Sequence, residues 1–194
     1  TVEGEWLYLN AHPCDYAYRI TGLIYPKSTE SVTGAASMKN FTLDMDFKFR
    51  EYDENHVQFN NSDCDSLGIF ARQRYLQGID VTQECFNINF NGTANISNTV
   101  NGTPVQLKDS SGANTSFTRG EKYHLYLKAV NDTMEYQITD STGKNVAKGS
   151  FDTDAIPGDH YLENGGYLGI GGSNEGVAMA NIEIARLDPD GNII

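Results

Sequence analysis

Basic residues are scarce in this chain: 14 lysines and arginines stand against 26 aspartates and glutamates among 194 residues, a net charge of −12. A nucleic-acid binder must neutralise phosphates with a basic face, so no nucleic-acid partner is expected. Anionic membranes and polyanionic glycans are repelled for the same reason. Long apolar runs are missing as well, so no segment is expected to span a bilayer. The opening Thr1-Val2-Glu3-Gly4 carries no basic–apolar–small signal pattern. Cysteine is limited to Cys14, Cys64 and Cys85, with no Cys-x-x-Cys, which removes redox and zinc-ribbon motifs. Unpaired, mostly buried thiols are expected; if one pair forms, the short loop favours Cys64 with Cys85. His12, His56, His124 and His160 are scattered, without metal-binding spacing. Neither a Gly-x-Ser-x-Gly elbow nor a phosphate loop occurs.

What is present is alternation. Residues 41–49, Phe-Thr-Leu-Asp-Met-Asp-Phe-Lys-Phe, switch between apolar and polar at every step, the pattern of a half-buried strand. Further strands are predicted over 67–72, 85–90, 122–130, 133–139, 146–151, 167–170 and 177–187. Turn chemistry separates them: Asn91-Gly92, Asn101-Gly102, Asn131-Asp132, residues 141–144 and Gly171-Gly172-Ser173-Asn174. Gly169-Ile-Gly171-Gly172 reads as a turn between strands. No window of 11 or more residues keeps a 3.6-residue period, and Pro157 and Gly158 limit residues 152–164 to one helical turn. Many short strands with 19 glycines predict an all-β, two-sheet antiparallel, jelly-roll-like β-sandwich. It forms one domain over 1–187, and residues 188–194 begin a linker.

Asn-x-Ser/Thr triplets occur at Asn40, Asn60, Asn91, Asn95, Asn101, Asn114 and Asn131. The 18 asparagines and 27 serines and threonines would give roughly 2.5 by chance. Either a polar, loop-rich surface composition or glycosylation explains the excess. Both place the chain outside the cytoplasm, secreted or at a cell surface.

The order of segments carries a resemblance. Phe41-Thr-Leu, then Leu67-Gly-Ile-Phe-Ala-Arg72, then the aromatic strand 85–90 are followed by a disordered-looking polar stretch. Next come Lys122-Tyr-His-Leu-Tyr-Leu-Lys-Ala-Val130, Gly165-Gly-Tyr-Leu-Gly-Ile-Gly171 and Ala178-Met-Ala-Asn-Ile-Glu-Ile184. Over residues 40–187 this resembles the concanavalin A-like lectin/glucanase superfamily, and within it the non-catalytic carbohydrate-binding modules of secreted glycan-degrading enzymes. Residues 50–65 stand out as an insertion. The resemblance implies a polysaccharide or glycan as partner, covalently linked catalytic or anchoring domains, and one structural calcium ion. Asp53, Glu54, Asn55, Asp63 and Asp65 are candidate oxygen ligands in the insertion, and Asp188 is a candidate at the end. An Asp/Gly turn is the alternative for Asp188.

A glycosidase on this fold needs two carboxylates flanking the scissile bond. Asp44 and Asp46 share a strand face but do not complete the glucanase pattern, and the signatures of alginate lyases are absent. Binding a neutral sugar instead requires aromatic faces and planar polar groups. Opposite the core positions stand Arg72, Asn87, Asn89, His124, Tyr126, Lys128 and Gln137, with Arg74 and Tyr75 just beyond. These residues are the expected carbohydrate contacts of a lectin-like module. A glycan-cleaving enzyme on the same fold and a protein-binding adhesin module are the alternatives.

Overall fold

The structure is a computed structural model that describes residues 2–3, 6–8, 22–25, 38–51, 65–75, 81–98, 103–155, 166–172 and 176–194. Thirteen strands lie among them: β1 (Val2–Glu3), β2 (Trp6–Tyr8), β3 (Gly22–Tyr25), β4 (Phe41–Phe49), β5 (Ser66–Tyr75), β6 (Val81–Asn89), β7 (Thr93–Asn98), β8 (Thr103–Gln106), β9 (Tyr123–Val130), β10 (Thr133–Asp140), β11 (Asn145–Asp152), β12 (Tyr167–Gly172) and β13 (Val177–Arg186). They form a seven-stranded sheet, β1-β2-β13-β4-β9-β10-β11, and a six-stranded sheet, β3-β12-β5-β6-β7-β8. The strand pairs in both sheets are antiparallel.

Alternation explains the packing. Phe41, Leu43, Met45, Phe47 and Phe49 of β4 are all fully buried. Each such side chain stabilises the fold by about 1.5–3 kcal/mol on leaving water. Facing them from the other sheet are Leu67, Ile69, Phe86, Ile88, Leu168 and Ile170. Phe47, Phe117 and Tyr123 close one end of the core, with ring centroids 5.0 to 6.0 Å apart. The segment after β8 covers the free edge of β11: Lys148 donates its amide to the Lys108 carbonyl, and the Thr115 hydroxyl donates to that of Val146.

The strands predicted at 41–49, 133–139 and 146–151 form within a residue of those bounds. Two expectations are corrected. The polar stretch after residue 90 is not irregular, because β7 and β8 occupy it. Ala94 and Ile96 face the core there, and a single methyl carries part of an alternation that is otherwise asparagine, serine and threonine. Gly169 to Gly172 is not a turn either: it is the body of β12, paired with β3 on one side and β5 on the other. The expected helical turn falls mostly on residues outside the description.

Three loops share one construction. Asp109-Ser-Ser-Gly-Ala113, Asp140-Ser-Thr-Gly-Lys144 and Asp188-Pro-Asp-Gly-Asn192 each aim an aspartate oxygen at the backbone amides two and four residues on, at 2.8 to 3.1 Å. Their glycines sit at φ 87, 83 and 83, which the left-handed step requires. Residues 188–194 fold back on the end of β13: the Ile194 amide donates to the Arg186 carbonyl.

Candidate functional site

The expected contact residues do not share one surface. Asn87 and Asn89 alternate with Phe86 and Ile88 on β6, so they point out of the six-stranded sheet. His124, Tyr126 and Gln137 alternate with core residues of β9 and β10, so they point out of the seven-stranded sheet. Packed sheets stand about 10 Å apart, so a ligand on one outer face does not reach the other.

The middle of the six-stranded face is closed, while Asn89, Asn95 and Ser97 beside it are partly exposed. Phe70, Cys85 and Asn87 lie outside the inter-sheet core yet are only 4 to 6% exposed. Gly68 allows this, since a Cβ there would stand 2.6 Å from the Phe70 ring and 2.8 Å from Asn87 Oδ1. Cys85 is a free, buried thiol, and Cys64 lies outside the described residues. Burial pushes that thiol up to about 12, against hydrogen bonds from Ser97 and Asn87. Asn89 donates to the Thr93 hydroxyl at 3.0 Å within its own turn.

Arg72 is not outward-facing, contrary to expectation. It is fully buried with φ 51, at a bulge where the β5–β6 register shifts. Its Nε donates to the Lys39 carbonyl at 2.9 Å, and its Nη2 donates to the Asn131 carbonyl. Asn40, itself buried, accepts the Asn131 amide at 2.8 Å and donates to the Asp188 carbonyl at 3.2 Å. Arg72 is thus a strut between the entry to β4 and the β9–β10 turn, and it presents nothing to a ligand. Arg74 and Tyr75 pair with Thr82 and Val81 in the β5–β6 ladder, and their side chains lie outside the described residues.

The seven-stranded face is open. Tyr126, 40% exposed, sits between Asp44 of β4 and Gln137 of β10 in direct register. The same row continues to Glu183 of β13 and Lys148 of β11. One row over, Asp46 pairs with His124. Asp46 is the buried member of this group: its Oδ2 accepts from Lys122 Nζ at 2.9 Å and Asn181 Nδ2 at 2.7 Å, and its Oδ1 lies 3.1 Å from His124 Nδ1. Burial raises the Asp46 carboxyl, but the hydrogen bonds from Lys122, Asn181 and His124 outweigh it and hold it below the ordinary carboxylate range. His124 Nε2 stands 3.3 Å from Asp44 Oδ1. Both nitrogens donate at once only in the imidazolium form. Asp46 is therefore kept ionised with its oxygens engaged, which does not suit the general-acid role of a glycosidase.

Sequence reasoning missed Lys122, Asn181 and Glu183. A signal for the last two exists in the phase of β13. Met179 faces the core, strict alternation would send residue 181 inward, and yet Ile182 and Ile184 are the ones that pack there. The slip is a bulge, with Asn181 at φ 50 and the register shifting between Ala180 and Glu183. It aims the Asn181 amide at Asp46, as bulges re-aim side chains elsewhere.

Two of the expected metal ligands, Asp188 and Asp65, lie among the described residues, and both are engaged by the protein itself. Asp188 Oδ1 accepts the amides of Asp190 and Asn192, and its Oδ2 accepts Asn192 Nδ2 at 3.1 Å. Hydrogen bonds from the Asn192 backbone and side chain hold its carboxyl low, so the alternative reading as an Asp/Gly turn is what forms. Asp65 is buried against Arg119 at 2.8 Å. Asp53, Glu54, Asn55 and Asp63 lie outside the described residues. Among the described residues, no three His, Cys, Asp or Glu side chains are grouped to hold a metal ion.

No family model matches the chain, and no curated protein sequence does. Solved structures do. The exoplasmic/lumenal domain of VIP36, in its Ca2+/Man3GlcNAc-bound form, matches 78% of this chain and 70% of its own at 11% identity, with a TM-score of 0.50. The carbohydrate binding module CBM66 from Bacillus subtilis matches 93% of this chain and 94% of its own at 13% identity, with a TM-score of 0.44. Basic winged bean lectin with Tn-antigen matches 73% of this chain and 60% of its own at 10% identity, with a TM-score of 0.43. The VIP36 likeness bears on architecture alone, and it agrees with the two-sheet antiparallel sandwich described above.

Proposed function

We propose that this domain binds a neutral glycan, without cleaving it, on the outer face of the seven-stranded sheet. It would act as a module of an exported protein that carries further domains. The observation that carries the reading is Tyr126. Its ring is exposed in the middle of a sheet, with the Asp44 carboxylate on one side and the Gln137 amide on the other. A ring face takes the C–H side of a sugar, while the flanking groups take its hydroxyls. The outward strand positions of this face hold Lys48, Lys128 and Lys148, and Lys122 reaches Asp46. Five carboxylates stand on this face, Asp44, Asp46, Glu135, Asp152 and Glu183, against these four lysines, so among the described residues the surface is close to balanced although the chain carries −12. A nearly balanced face suits an uncharged partner.

The test is affinity electrophoresis through gels containing neutral β-glucan, xylan, mannan or fructan. Wild-type protein is expected to be retarded by at least one gel with no reducing ends released. Tyr126→Ala is expected to weaken retention about two- to tenfold, the equivalent of about 0.5–1.5 kcal/mol, with the melting temperature unchanged. Equal retention of the variant would remove this face from the site. Release of sugar would replace the binding reading with an enzymatic one.

A further inference from the structure

The row through Tyr126 has a property that no single residue in it has. Glu183, Asp44, Tyr126, Gln137 and Lys148 are successive cross-strand partners on five adjacent strands, β13-β4-β9-β10-β11. At about 4.8 Å per strand, the row is about 19 Å long, several times the width of one sugar ring. All five side chains are at least partly exposed, with Asp44 at 43%. Both ends are open. β2 pairs with β13 only at Ala178 and Met179, so the sheet ends at Glu183 among the described residues. At the other end Lys148 is exposed on the outermost strand, while its backbone amide is held by Lys108.

We infer that the occupant is an internal stretch of a neutral polysaccharide, running across the strands along this row, and not a terminal sugar held in a pocket. The inference rests on the sugar-binding reading above. A terminal sugar is selected by walls that enclose it on several sides. Here the polar groups form a line, with one ring at its centre and charges of opposite sign at its ends. Hydrogen-bonding groups one strand spacing apart engage successive units of a chain, and nothing in the row stops the chain at either end. The near balance of charge on this face favours neither a polyanion nor a polycation as the occupant.

The test is competition for the retaining polysaccharide by its own mono-, di- and pentasaccharides. The pentasaccharide is expected to compete at least tenfold better than the monosaccharide at equal mass. Glu183→Ala and Lys148→Ala, at the ends of the row, are expected to weaken the pentasaccharide several-fold while leaving the disaccharide unchanged. If the monosaccharide competes as well as the pentasaccharide, or if the end variants behave like wild type, the extended row is wrong and the sugar-binding reading stands. If wild-type protein is retained by none of the polysaccharides, both fall together.

Discussion

On the outer face of the six-stranded sheet Phe70, Cys85 and Asn87 are sealed, whereas on the seven-stranded sheet Tyr126, His124 and Asp44 stand about two-fifths open. Both sets arise from the same alternation, so period two decides which side of a strand a residue occupies but not whether that side is wet. Polarity does not decide it either. Asn87 is buried beside a glycine that makes room for its amide, and Gln137 is exposed. Even within the open face, Asp46 is covered by three partners while Asp44, two residues away, is not.

The contrast breaks most easily at Arg72. Arg72→Met keeps much of the volume and removes the donors, leaving the Lys39 and Asn131 carbonyls without this buried partner. A loss of about 3 kcal/mol is expected, or about 6–12 °C in melting temperature, with glycan retention per folded molecule unchanged. A variant that melts like wild type would deny the arginine its role as a strut. A smaller effect is expected at Asp46, whose carboxyl is lowered in the folded state. An unfolded aspartate titrates near 3.9. The native carboxylate therefore binds its proton less readily than the unfolded one. Its contribution is complete above about pH 4 and is lost as the pH falls through the lowered native value. Asp46→Asn should cost about 1–2 kcal/mol at neutral pH, moderated by the half-exposed Lys122. That gap should narrow in urea titrations at pH 3, and a constant gap would sink the assignment. The smallest effect is expected on the closed face, where Cys85→Ala should cost about 1 kcal/mol. In wild type, peptide mass analysis should find Cys85 unmodified by iodoacetamide at pH 8 until denaturant is added. Rapid labelling of the native protein would mean that this face opens.

The sandwich was legible because its strands carry clean alternation, above all at residues 41–49, and because an Asn-Asp turn at 131–132 and an aspartate–glycine loop at 140–144 mark the hairpins. Half of the candidate face was legible for the same reason: His124, Tyr126 and Gln137 are on it. The rest was hidden by two bulges. At Arg72 the chain leaves strict alternation, so a residue counted as outward turns into the interior. At Asn181 the phase slips, which brings Glu183 beside Asp44 from a strand far away in sequence. Pairings of that kind leave no local trace, which is also why Asn87 and His124 read as neighbours in function although they occupy opposite sides of the molecule.

The position of β13 beside β4 also sets the order of events during synthesis. The meander β9-β10-β11 completes its ladder from residues 123–152 alone, but β4 gains its second neighbour only when residues 177–186 leave the ribosome. Until then a nine-residue strand with five large apolar side chains presents an unpaired edge. A nascent chain paused between the meander and β13 therefore still offers one bare edge of β4 to other chains.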